Sequence, residues 1–81
     1  MNVRREQPVP INYKGLEIGT AFRADLIVED RVLVELKCVQ PILPVHRAQV
    51  WTYLSFLELR VGLLLNFHER RLPDGIRRIV R

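Results

Sequence analysis

Residues 23–37 read RADLIVEDRVLVELK. Two largely apolar runs flank the charged triplet Glu29-Asp30-Arg31, the pattern of two antiparallel strands joined by a short turn. Side chains alternate along a strand, so Glu35 and Lys37 share one face while Val34 and Leu36 share the other. The face of Asp25 depends on register. With the charged triplet as the loop, Val28 pairs with Val32 and Asp25 stands opposite Glu35. A loop one residue longer or shorter turns Asp25 away. In the first register Asp25, Glu35 and Lys37 converge on one face at one end of the sheet. Adjacent carboxylates repel unless a cation lies between them. Mg²⁺ accepts one or two carboxylates and completes its shell with water and phosphate oxygens. A neighbouring lysine can orient or deprotonate a water and offset charge building on a phosphate. These are the parts of a metal-dependent phosphodiesterase. The same residues also fit a solvated strand face on which Asp25 pairs with Arg23 or Arg60, and spacing alone does not separate the two.

Working outward, Pro8 and Pro10 mark an extended segment of edge type, VPINY (9–13). YKG (13–15) supplies a turn, and LEIGTAF (16–22) reads as a returning strand with Gly19 a candidate bulge. With the two strands of 23–37 this makes a four-strand meander. QPILP (40–44) then stops the sheet, and Pro44 suits the first position of a helix. The following VHRAQVWTYLSFLEL (45–59) has helical length, with Val45, Ala48 and Trp51 or Thr52 on one side. Gln49, Tyr53 and Phe56 recur at helical spacing. VGLLLNF (61–67) is too short and too uniformly apolar for a surface helix and reads as a buried strand. HERRLPDG (68–75) is a loop with a Pro-Asp-Gly turn, and IRRIV (76–80) a closing strand. The expected order is β-β-β-β-α-β-β, an α+β layout with a mixed sheet and one crossover helix.

The chain of 81 residues makes a single domain over 1–81, short enough that its stability is marginal without help from a partner. Its one cysteine, Cys38, excludes an internal disulfide and, as the continuation of an apolar strand, is expected to be buried. His46, expected in the first helical turn facing solvent, and His68, at the start of a loop, do not make a zinc set. A hydrophobic fraction of 48% argues against disorder. No apolar run approaches the ~20 residues of a membrane span, and the opening MNVRREQPVP lacks the apolar stretch of a signal peptide. A soluble cytoplasmic protein is the expectation. The net charge is +4, and of the cationic side chains only Lys14 and Lys37 are lysines. Arginine suits bidentate phosphate contacts, so nucleic acid is an admissible partner. Arg70, Arg71, Arg77, Arg78 and Arg81 form either a solvated face or a phosphate-tracking patch. Asn66, at the end of a buried strand, is placed to cap a loop or bond across to a neighbour.

Taken in order, YKG, RADLIVEDRVLVELK, PVHRAQVWTYL, VGLLLNF and DGIRRIV closely resemble the GxxExxY family, which is assigned to the PD-(D/E)XK nuclease superfamily. The resemblance runs from about Gln7 to Val80. It implies a restriction-endonuclease-like core and Mg²⁺- or Mn²⁺-dependent hydrolysis of nucleic acid, DNA ahead of RNA. It also implies roles: Asp25 and Glu35 as metal ligands with the carbonyl of Leu36, Lys37 acting on the attacking water, and Gln49 as the helix-borne polar residue facing the site, with Tyr53 one turn on. Two departures stand out. The helical segment carrying Gly-x-x-Glu-x-x-Tyr has no counterpart, and MNVRREQ reads as the tail of a preceding connection. The sheet face that segment would cover is expected to be covered by a second copy in a homo-oligomer. The family's glycine near the end of the helix is Glu58 here. The alternative to catalysis is a nucleic-acid-binding or dimeric interaction module on the same fold.

Overall fold

The fold is described by a computed structural model for residues 1–9, 12–13, 16–17 and 22–81. Along the chain lie β1 (Val3–Val9), β2 (Asn12–Tyr13), β3 (Leu16–Glu17), β4 (Phe22–Val28), β5 (Val32–Lys37), α1 (Pro44–Leu57), β6 (Val61–Asn66), a 3₁₀ turn (Leu72–Gly75) and β7 (Ile76–Val80). Five strands form one mixed sheet in the order β1-β4-β5-β6-β7. Every neighbouring pair is antiparallel except β5 and β6, which run parallel and are joined by α1 as the crossover. This is the expected α+β, restriction-endonuclease-like arrangement.

The central hairpin has the odd-numbered loop. Val28 pairs with Val32, Ile27 with Leu33 and Leu26 with Val34. Glu29 and Asp30 take left-handed backbone angles (φ 54° and 53°), and the Arg31 N–H closes the turn on the Val28 carbonyl at 3.0 Å.

The four-strand meander is corrected. β1 pairs directly with β4, while β2 and β3 form a separate two-stranded ladder. MNVRREQ is not a connecting tail, because most of it is β1. Long-range contacts recruit it: Asn2 exchanges backbone and side-chain bonds with Glu29, and Arg4 pairs with Asp30 at 2.7 Å. Val3 also completes a row across the sheet. The expected turn at Lys14-Gly15 and bulge at Gly19 lie outside the described residues.

One sheet face is packed by α1. Val50, Tyr53 and Leu54 meet Ile27, Leu33, Leu64 and Ile79, with Val9 and Ala24 completing the core. Gly62 permits the approach, since a Cβ there would stand 2.7 Å from Val50 Cγ1. The Val45–Ala48–Trp51 side faces solvent, with Val45 64% and Trp51 49% exposed. His46 is not simply solvent-facing: half-buried, it accepts the Leu43 N–H at Nδ1 (2.9 Å) and so caps the helix start, with Pro44 at the first position as expected.

The other face has no helix on it among the described residues. Register lines up Val3, Val28, Val32, Val61 and Val80 in one row and Arg5, Leu26, Val34, Leu63 and Arg78 in the next. Leu36, Leu65 and Ile76 continue the face.

The glycine that the resemblance places near position 58 has a physical reason. Glu58 ends α1 in the left-handed region (φ 57°, ψ 38°), where a Cβ is disfavoured and glycine is not. Glu58→Gly is expected to raise unfolding free energy by about 0.5–1 kcal/mol, read as a higher urea midpoint with unchanged slope.

Candidate active site

The β4–β5 ladder runs from Val28↔Val32 to Leu26↔Val34. At the next position side chains link the strands. Glu35 Oε1 accepts the Asp25 N–H at 3.1 Å, and Asp25 Oδ2 accepts the Leu36 N–H at 2.8 Å. Each carboxylate thus holds a backbone amide of the other strand, so both are fixed without a long side-chain partner. On the opposite edge of β4, pairing with β1 skips one position between Arg5↔Leu26 and Gln7↔Ala24. The register is the same on both sides, so the position left out is Glu6 opposite Asp25, and Glu6 has φ 48°. Ala24 and Ile27 are both buried although three residues apart, so the alternation of β4 reverses here. Asp25 lies at this break, between the two buried residues.

Burial separates the two carboxyls. Glu35 is 3% exposed, whereas Asp25 is half-buried. The Glu35 carboxyl is pushed up to about 7, first by burial, then by the charge of Asp25 and a hydrogen bond shared with its carboxyl. The Asp25 N–H and the charge of Lys37 oppose this without cancelling it.

Lys37 is oriented from the helix. Its Nζ donates to Gln49 Oε1 at 2.8 Å, and Gln49 Nε2 donates to the Tyr53 hydroxyl oxygen at 3.1 Å. Tyr53 is raised by burial, with the charges of Glu35 and Asp25 adding to the effect and the Gln49 hydrogen bond opposing it. Asn66 stands beside Lys37 in the parallel register. It clamps the strand exits, accepting the Val39 and His68 N–H groups at Oδ1 and donating to the Val39 carbonyl.

Asp25, Glu35, Lys37 and Gln49 therefore belong to one constellation, with Leu36 bound to it through its amide. The arginine partners considered for Asp25 are not used, for Arg23 donates to the Glu6 carbonyl at 3.4 Å. Cys38 is corrected: β5 ends at Lys37 and the thiol is exposed. The C-terminal arginines all face solvent, Arg77 and Arg81 binding carbonyls. Two neighbours had no sequence signal. Arg5 and Glu6 line a groove of about 650 Å³ with Asp25, Leu26 and Leu36, a position that exists only because β1 begins at Val3.

No cluster of three or more His, Cys, Asp or Glu side chains suited to a metal occurs among the described residues. The donor set is two carboxyls, one of them buried with its charged form disfavoured. That set fits a hard cation that takes one or two carboxylates and fills its shell with water and phosphate. It does not fit zinc, which needs three or four protein ligands.

No helix of the described residues is long and apolar enough to cross a membrane. In comparisons with known proteins, the model of the PD-(D/E)XK nuclease superfamily matches residues 1–79. Neither a curated protein nor a solved structure matches.

Proposed function

Since the chain belongs to the PD-(D/E)XK nuclease superfamily, we propose that it hydrolyses phosphodiester bonds in DNA with Mg²⁺ or Mn²⁺ held by Asp25, Glu35 and the Leu36 carbonyl. The observation that carries this reading is that each carboxylate is held by a backbone amide of the other strand, Glu35 by the Asp25 N–H and Asp25 by the Leu36 N–H. Two carboxyls fixed side by side, one pushed up to about 7, form a pair whose repulsion a dication relieves. The chemistry such an ion supplies when bound is polarisation of the phosphate and acidification of a water.

The residues supply the rest. Glu35 releases its proton when it becomes a ligand. Lys37, held by Gln49, keeps its ammonium beside the attacking water and the developing phosphate charge. Tyr53 fixes the rotamer of Gln49 through the second hydrogen bond. The second copy expected over the open face has, in this reading, the valine row as its seat, towards the hairpin turn and away from Asp25. Light scattering over a concentration series checks it.

The test is calorimetric titration of Mn²⁺ and Mg²⁺ into wild type and Glu35→Ala, with cleavage of labelled DNA by wild type and Lys37→Ala. Wild type binds and cleaves; Glu35→Ala does neither. Lys37→Ala still binds metal and loses about 10²–10⁴-fold in cleavage. A folded wild type that binds DNA but neither binds metal nor cleaves would instead be the non-catalytic module.

A further inference from the structure

The groove beside Asp25 is the feature that the constellation itself does not account for. It is lined by Arg5 and Glu6 from β1, Asp25 and Leu26 from β4, and Leu36 from β5. At about 650 Å³ it lies within the ~300–1,000 Å³ range of small-molecule sites, room for one nucleotide unit.

Arg5 is held in place by its strand but its guanidinium is not engaged. Its backbone pairs with Leu26, and its carbonyl accepts Gln7 Nε2. Among the described residues the Arg5 guanidinium binds no carboxylate or carbonyl oxygen, as is also the case for Arg31, Arg47, Arg60, Arg70, Arg71 and Arg78; of these seven, Arg5 is the one that lines the groove. It shares the groove with Asp25 without pairing to it. A planar fork of donors and a carboxylate lining one groove suit a ligand whose anion meets the fork and whose next phosphate reaches Asp25.

We propose that Arg5 is a substrate-phosphate ligand: the groove receives the nucleotide adjoining the phosphate attacked at Asp25, with its sugar and base over Leu26 and Leu36 and its own phosphate on the Arg5 guanidinium. This rests on the nuclease reading and names the substrate contact that reading lacks. Glu6, which also lines the groove, repels a phosphate, so the anion is held by the bidentate fork of Arg5 and not by a general positive field.

The experiment measures binding of a short fluorescein-labelled single-stranded DNA over a salt series. It is done with Mn²⁺ in the Lys37→Ala background, so that the strand stays intact. Arg5→Ala is expected to lose about tenfold in affinity and to flatten the salt dependence by about one phosphate contact. Arg5→Lys recovers only part of this, because it lacks the fork. Arg78→Ala removes an arginine from the far edge of the same row and leaves affinity unchanged. Calorimetric Mn²⁺ binding by Arg5→Ala matches that of its parent.

Equal losses for Arg5→Ala and Arg78→Ala, no loss for Arg5→Ala, or loss of Mn²⁺ binding with Arg5 each overturn the assignment. So does a parent protein that binds no DNA. If the parent fails to bind Mn²⁺ while the Arg5-to-Arg78 contrast persists, the nuclease reading falls and the phosphate site stands. If Mn²⁺ binds and the contrast is absent, the reverse holds.

Discussion

Between pH 4.5 and about 7 the protein is expected to lose stability through Glu35, by about 3 kcal/mol in total, and Glu35→Gln is expected to abolish that loss. The sign follows from the direction of the shift. In the unfolded chain the carboxyl releases its proton near 4.5; in the folded protein it keeps it up to about 7. Across that window the native state holds more protons than the unfolded state, so raising the pH favours unfolding. Below the window both states are protonated and above it both are ionised, so the loss is confined to it. Glutamine keeps the shape and still accepts the Asp25 N–H, but carries no charge to bury. Urea titrations followed by far-ultraviolet circular dichroism at a series of pH values measure the difference between the two proteins. A constant difference across the window would mean that Glu35 is not held protonated in the fold. The same shift governs metal affinity. A dication must displace the proton, so Mn²⁺ affinity rises with pH to about 7 and then levels, with proton release seen as a buffer-dependent heat.

Asn66→Ala is expected to destabilise the fold by about 3 kcal/mol, the effect of leaving three backbone groups unpaired at ~1 kcal/mol each. Asn66 is 1% exposed, and all its hydrogen bonds go to the segments that leave β5 and β6. Oδ1 takes the Val39 and His68 N–H groups at 3.1 and 3.2 Å, and Nδ2 donates to the Val39 carbonyl at 2.8 Å. Asn66→Asp is expected to cost at least as much. It turns the donor towards Val39 into an acceptor facing a carbonyl and adds a buried charge. The 3₁₀ turn is seated on the same residue, since a Cβ at Gly75 would collide with the Asn66 carbonyl. Urea midpoints and hydrogen exchange at the Val39 and His68 amides check the prediction. A loss below 1 kcal/mol would mean that water replaces the side chain at no cost. Because Val39 lies two residues beyond Lys37, this clamp also sets where the lysine-bearing strand ends.

The proximity of the candidate residues was legible where they lie close in sequence. Asp25, Glu35 and Lys37 belong to one hairpin, but the sequence leaves open the loop length that fixes its register, which the structure settles by pairing Val28 with Val32. Gln49 and Tyr53 are one helical turn apart, so periodicity places both on one side of α1. Arg5 was not legible, since nothing in VRREQPV (3–9) alternates in the manner of a half-buried strand. The burial of Glu35 was not either: alternation shows that it shares a face with Lys37, not that α1 covers that face deeply enough to raise its carboxyl.

By itself the sequence pointed to the central hairpin, the helix beginning at Pro44 and a strand over 61–67, of which β6 takes 61–66 while Phe67 is exposed. These follow from side-chain periodicity, turn length and the fixed φ of proline, all of which act within a few residues. Only the tertiary structure decided that the first residues form an edge strand, that β2 and β3 stand apart from the main sheet, that Cys38 is exposed, and that β4 reverses its alternation at Asp25. Each depends on which distant segment supplies the hydrogen bonds and the apolar cover, and a strand's own residues do not encode its neighbour.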